Sequence, residues 1–240
     1  MVITISAMSP QLIRKFKVIE LEAVKKIVDL SKKHGIKRVV YISVFDPTHP
    51  LAEKLKLESA KIKKEVEEYI STSNLNWTVF GAPPSQEIFF AMLRANKLII
   101  PGGGPPKLPT ISPIDVGEIV AQAVLRDDLS GKRFRLVGPD LMSFKEAADR
   151  IGAFLNKKIK VVQPPILLPL LGQKILFLCR PFSKKASFAY FIINHLKLLN
   201  NFPQDIALNS IKDHSLLLQV FDYKPYTFEQ EISRRFSEQA

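Results

Sequence analysis

The 240 residues, 46% of them hydrophobic, suffice for one sizeable core or for a core plus a small lobe. The formal net charge of +12 is spread mostly as lysine pairs, such as Lys25 with Lys26 and Lys63 with Lys64, in helix-like segments that also carry acids, and this solvated-face pattern argues against nucleic acid as a partner. A single cysteine, Cys179, excludes an intramolecular disulfide, and neither it nor any of the four histidines has metal-ligand spacing, so no metal site is expected and a reducing, cytoplasmic setting is.

In chain order, Val2 to Ser6 is a short β-rich run without the features of a secretory signal. From about Leu12 to Lys33, Phe16, Ile19, Ala23, Ile27 and Leu30 recur at three- and four-residue spacing, which predicts an amphipathic helix that Gly35 ends. Arg38 to Ser43 is nearly all apolar, as in a strand buried on both faces. A second helix from Leu51 to Ser71 and a strand from Trp77 to Phe80 repeat the strand–helix–strand unit, which implies a parallel sheet with right-handed crossovers.

A helix over Gln86 to Ala95, the run Leu98 to Ile100 and a loop from Pro101 to Pro109 follow, and Gly102 to Gly104 in that loop read as a connection, because Pro105 and Pro106 leave no helix N-terminus beside them. Asp115 with Glu118, Ser143 with Glu146 and Thr227 with Gln230 each have capping-box spacing. A strand from Arg133 to Val137 and another from Ile159 to Val162 close the alternation. Beyond Pro164 the chain becomes apolar and helical, broken by prolines. The expected fold class is therefore α/β: a partial Rossmann-like parallel sheet over residues 1–162, its N-terminal strands missing, with a mainly helical C-terminal lobe over 163–240.

The order and spacing of His34-Gly-Ile-Lys-Arg-Val-Val-Tyr-Ile-Ser43, the helix with Lys63 and Glu67, Asn76-Trp-Thr-Val-Phe80, Ile114-Asp-Val-Gly-Glu118 and Leu136-Val-Gly-Pro-Asp140 resembles the NmrA-like and related atypical short-chain dehydrogenases/reductases. The resemblance implies an NAD- or NADP-binding protein with a dinucleotide or small-molecule ligand, either an oxidoreductase or epimerase-like enzyme or a noncatalytic regulator or assembly factor. The Gly-rich turn that receives the pyrophosphate in that class is not in the sequence, which implies weak cofactor binding or an incomplete gene product.

By the same resemblance, Ser43 at the carboxyl end of its strand and Lys63 are the catalytic candidates. Periodicity agrees on Lys63, which stands at the edge of the stripe formed by Leu55, Ser59, Ile62, Val66 and Ile70. Ser6, Ala7, Ser43, Lys63, Gly81, Ala82 and Pro83 are the expected cofactor contacts, with Gly81-Ala82 standing where related chains have Arg-Pro. Four residues before Lys63 stands Ser59, where the class has its tyrosine proton donor, and neither Tyr41 nor Tyr69 is an obvious replacement. The apolar stretch over 166–185, followed by basic residues, is expected to pack as lobe core, with peripheral membrane or protein contact as the alternative.

Overall fold

The computed structural model describes residues 1–237, apart from the side chain of Leu168. In chain order the elements are β1 (Val2–Ile3), α1 (Ala23–Lys33), β2 (Arg38–Val44), α2 (Pro50–Lys54), α3 (Glu58–Ser71), β3 (Asn76–Ala82), α4 (Glu87–Ala91), β4 (Leu93–Arg94), β5 (Lys97–Ile99), β6 (Leu108–Pro109), α5 (Pro113–Val124), β7 (Lys132–Arg135), β8 (Leu141–Met142), α6 (Phe144–Leu155), β9 (Lys160–Val162), α7 (Leu167–Cys179), α8 (Lys184–Asn200), α9 (Gln204–Val220) and α10 (Phe228–Ser237). The chain divides into two compact units, the first made of Met1–Gly81, Val120–Arg135 and Leu167–Leu198, the second of Ala82–Ile119, Leu136–Ile166 and Leu199–Ala240.

The first unit holds a parallel sheet in the order β1-β2-β3-β7, the α/β arrangement that the alternating pattern predicts. Val2 pairs with Val40, and Phe80 with Phe134. Ile62, Val66 and Ile70 of α3 pack with Val24 and Val28 of α1 onto Val39, Tyr41 and Val79 of the sheet. Each such side chain taken fully from water contributes roughly 1.5–3 kcal/mol. Phe188 and Phe191 of α8 lie against the same cluster.

Two departures from the expected helices shape the site. The helix expected from Leu12 opens instead with a 3₁₀ turn at Ile13–Lys15 and a π-helical turn at Val18–Glu22. A π-turn inserts a residue into the helical repeat, and here adjacent positions, Glu20 and Leu21, both face inward. The helix expected over Leu51 to Ser71 breaks into α2 and α3 at Lys56, which adopts a left-handed φ of 51°.

The second unit has its own core around Phe89, Leu98, Phe144, Ile151 and Phe228. Two of the capping boxes form: the Ser143 hydroxyl accepts from the Glu146 amide while the Glu146 carboxylate accepts from Ser143, and Thr227 and Gln230 exchange the same pair of bonds. The one expected at Asp115 does not, because α5 starts earlier and Ser112 accepts the Ile114 amide. Gly102, Gly103 and Gly104 all have positive φ, and the Gly104 amide donates to Asn200 Oδ1 at 3.0 Å, as expected of a packed connection.

The stretch expected at 166–185 contains α7, whose Leu171, Ile175 and Leu178 are exposed. Among the described residues no helix is long and apolar enough to cross a membrane, and no cluster of His, Cys, Asp and Glu is arranged to hold a metal ion.

Candidate active site

The carboxyl ends of parallel strands are where open α/β sheets receive ligands. Ser43 lies near the end of β2, with its side chain buried and its hydroxyl without a protein partner. Two positions earlier, and so on the same face of the strand, Tyr41 is fully buried and its hydroxyl is likewise unpartnered. Burial and the carboxylates of Glu20 and Glu67 push the Tyr41 phenol well above its ordinary range.

Lys63 reaches this face from α3, but its ammonium does not project into an open cleft. It sits 2.5 Å from Glu20 Oε2, with side-chain exposures of 6% and 0%, and 5.2 Å from the centre of the Tyr41 ring. The other oxygen of Glu20 accepts the amide of Ala7 at 2.6 Å. One buried carboxylate, on the apolar face of the segment that leads into α1, therefore holds both the segment after β1 and the lysine of α3. Two charges this deep are stable only while they satisfy each other.

Gly81, on β3, is a position at which only glycine fits. A Cβ there would lie 2.6 Å from the Phe45 carbonyl oxygen and 2.7 Å from the Arg133 guanidinium. Arg133, from β7, donates to Glu67 at 2.9 Å and to the carbonyls of Val44 and Phe45, while Arg135 pairs with Asp46 at 2.5 Å. Where related chains carry Arg-Pro, this chain brings a guanidinium from the neighbouring strand into the space that Gly81 leaves.

Of the remaining expected contacts, Ser6 is exposed and Ala7 buried in the first unit, whereas Ala82 ends β3 and Pro83 is buried, both in the second. The first unit thus brings Ser43, Lys63 and Gly81 to one face of the sheet, together with Glu20, Tyr41 and Arg133, which sequence reasoning did not select. For a cofactor, Ser43 fits, since its buried hydroxyl has hydrogen-bonding capacity to give. Lys63 does not fit the ribose-contacting role, its charge being already matched.

Ser59 meets a residue from 136 positions away: its hydroxyl lies 3.3 Å from His195 Nε2. His195 Nδ1 is 2.9 Å from the Phe191 carbonyl, which can only accept, so Nδ1 carries the proton and Nε2 accepts from Ser59. Burial lowers the pKa of the imidazole, opposed by the bond to Phe191, and this favours that neutral form. His195 had no recognisable partner in the sequence, because its partners come from α3 and from its own helix one turn earlier.

A parallel sheet in the order β1-β2-β3-β7 packed against helices is a Rossmann-like α/β arrangement. The chain belongs to the NAD(P)H-binding family, whose sequence profile matches residues 2–127. No curated protein sequence matches it. Among solved structures it is similar to an NADPH-dependent quinone oxidoreductase from Escherichia coli (14% identity, 97% of this chain and 82% of that one, TM-score 0.67). It is also similar to a nucleoside-diphosphate-sugar epimerase from Staphylococcus aureus (16%, 96% and 75%, 0.65) and to NmrA, a negative transcriptional regulator (16%, 96% and 79%, 0.62). At these identities the likeness is one of fold.

Proposed function

We propose that this protein binds a nicotinamide dinucleotide, NAD or NADP, and responds to it as a regulator or assembly factor, without carrying out tyrosine–lysine hydride chemistry. The observation behind this reading is the buried Lys63–Glu20 pair. In the reductase mechanism a lysine ammonium makes a neighbouring phenol a better acid, so that proton and hydride are delivered together. Here the ammonium is neutralised at contact distance. The nearest phenol, Tyr41, is pushed the other way by burial and by two carboxylates, and the position four residues before Lys63 holds a serine bonded to His195.

Ser43 is the polar contact we assign to the nicotinamide side, with Ser6, Ala7, Gly81, Ala82 and Pro83 as strand-end contacts and Lys63 as a positioning residue. When bound, the nucleotide supplies a redox-sensitive ligand, and the protein's part is to hold it. That NmrA is a transcriptional regulator and the quinone oxidoreductase NADPH-dependent supports a fold compatible with either role.

The test is to titrate NADH and NADPH while following nicotinamide fluorescence, and then to assay quinone reduction. Weak, saturable binding that Ser43→Ala reduces severalfold is expected, with no turnover. Turnover that disappears in a folded Lys63→Ala variant would overturn the reading.

A further inference from the structure

A cleft of about 720 Å³ opens in the first unit, lined by Ser59, one turn before Lys63 on α3, and by Phe16 and Lys17, one turn before Glu20. That is within the range of roughly 300–1,000 Å³ that takes one small organic ligand. Phe16, Leu57, Phe177 and Phe191 give it apolar walls, and the neutral Ser59–His195 pair is part of its lining. Four cations, Arg14, Lys17, Lys56 and Arg180, stand around it against one carboxylate, Glu58, a local balance of +3 (four less one).

Two of these cations are committed. Arg180 lies 3.6 Å from Glu58 and stacks over the Tyr190 ring at 4.6 Å, and Arg14 donates to the Pro181 carbonyl. Lys17 and Lys56 are exposed and make no ion pair within 4.0 Å among the described residues, Glu65 being the carboxylate on which the charge of Lys17 acts.

The backbone at Lys56 is left-handed, as it is at Asn74, Ala95 and Asn156. The turn that ends α1 and the turn that ends α2 have the same hydrogen bonds: Gly35 N to Lys32 O with Ile36 N to Ser31 O, and Lys56 N to Glu53 O with Leu57 N to Ala52 O. In both, the second residue after the helix is left-handed, Gly35 at 71° and Lys56 at 51°. Glycine adopts that conformation freely and a residue with a Cβ adopts it at a cost. At Lys56 this turn brings a lysine to the edge of a cleft with surplus positive charge.

We propose that this cleft binds a single-chain amphiphilic carboxylate of the fatty-acid kind, its chain along the phenylalanine walls and its head at Lys17 and Lys56. The apolar walls select a chain over a sugar or a nucleotide. The unpaired lysines select an anion, and the Ser59–His195 pair offers hydrogen bonds without adding charge.

The experiment uses the full chain and the fluorescent anion 1-anilinonaphthalene-8-sulfonate, displaced in turn by dodecanoate, dodecanol and inorganic phosphate. Dodecanoate is expected to displace the probe at least tenfold more effectively than dodecanol, and phosphate not at all. Replacing both lysines (Lys17→Gln with Lys56→Gln), each exposed and outside the core, is expected to weaken dodecanoate about tenfold while leaving dodecanol unchanged, a split that loss of folding does not produce. Equal affinity for acid and alcohol, an unchanged affinity in the double variant, displacement by phosphate, or no displacement by dodecanoate would each refute the proposal.

Discussion

The sharpest consequence of the structure concerns Glu20. Replacing it with glutamine keeps an oxygen for the Ala7 amide but leaves the Lys63 ammonium buried without a counter-charge. Breaking a buried pair by removing one partner costs about 3–5 kcal/mol, against about 0–1 kcal/mol for an exposed pair. For a chain of this size each kcal/mol moves Tm by about 2–4 °C, so Glu20→Gln should lower Tm by about 6–20 °C.

The reciprocal change, Lys63→Met, strands the carboxylate instead and should cost a similar amount. The double variant removes both charges and should recover most of the loss, so that its destabilisation is smaller than that of either single variant. Thermal unfolding followed by circular dichroism measures all four proteins. A shift below about 2 °C for Glu20→Gln, the behaviour of an exposed pair, would show that Lys63 spends its time elsewhere, and the argument for a sequestered lysine would fall with it.

Lys56→Gly should stabilise the protein by about 1 kcal/mol, because it removes the left-handed cost at the end of α2, and should at the same time weaken dodecanoate binding; a melt and a displacement titration on the same sample check both. Asp115, buried and with the Tyr226 amide donating to both its oxygens, has its pKa raised to about 7 by burial, with Glu118 adding to the rise and the Tyr226 bond opposing it. Its folded pKa lies above its unfolded one, so the folded state holds the extra proton and stability falls as pH rises from about 4 to about 7. Asp115→Asn, which retains an acceptor for Tyr226, should therefore be more stable than the parent at pH 8 and have a flatter Tm–pH profile through that window. A wider gap at pH 4 than at pH 8 would contradict the sign.

The sheet was legible because its strands are short, apolar and separated by helical periodicity. Arg38 to Ser43 reads as doubly buried and is the central strand β2, and Gly35 stops α1 as a glycine should. What the pattern could not show is instructive residue by residue. Glu20 stands four residues after Phe16 and three before Ala23, on the apolar stripe itself, but a carboxylate there does not announce its own burial, and no residue in Val18 to Glu22 announces the π-turn. The break at Lys56 is equally silent, since Leu55-Lys56-Leu57 holds neither glycine nor proline. Lys63 lies at the edge of the apolar stripe by its periodicity, but its partner lies on another element, and Ser59 and His195 meet only in the folded chain. Periodicity locates a side chain on its own element, while the identity of what faces it is a tertiary fact.

Glu20 also couples two positions that the resemblance treats as separate contacts. Its carboxylate spends one oxygen on the Ala7 amide and the other on the Lys63 ammonium, so a ligand that takes either partner must leave the other half of the interaction unmatched in a buried setting. A buried charge pair resists this strongly in the absence of compensation. A negatively charged ligand that took both partners would leave the Glu20 carboxylate itself unmatched beside a like charge, so the carboxylate holds the segment after β1 and α3 together as one unit.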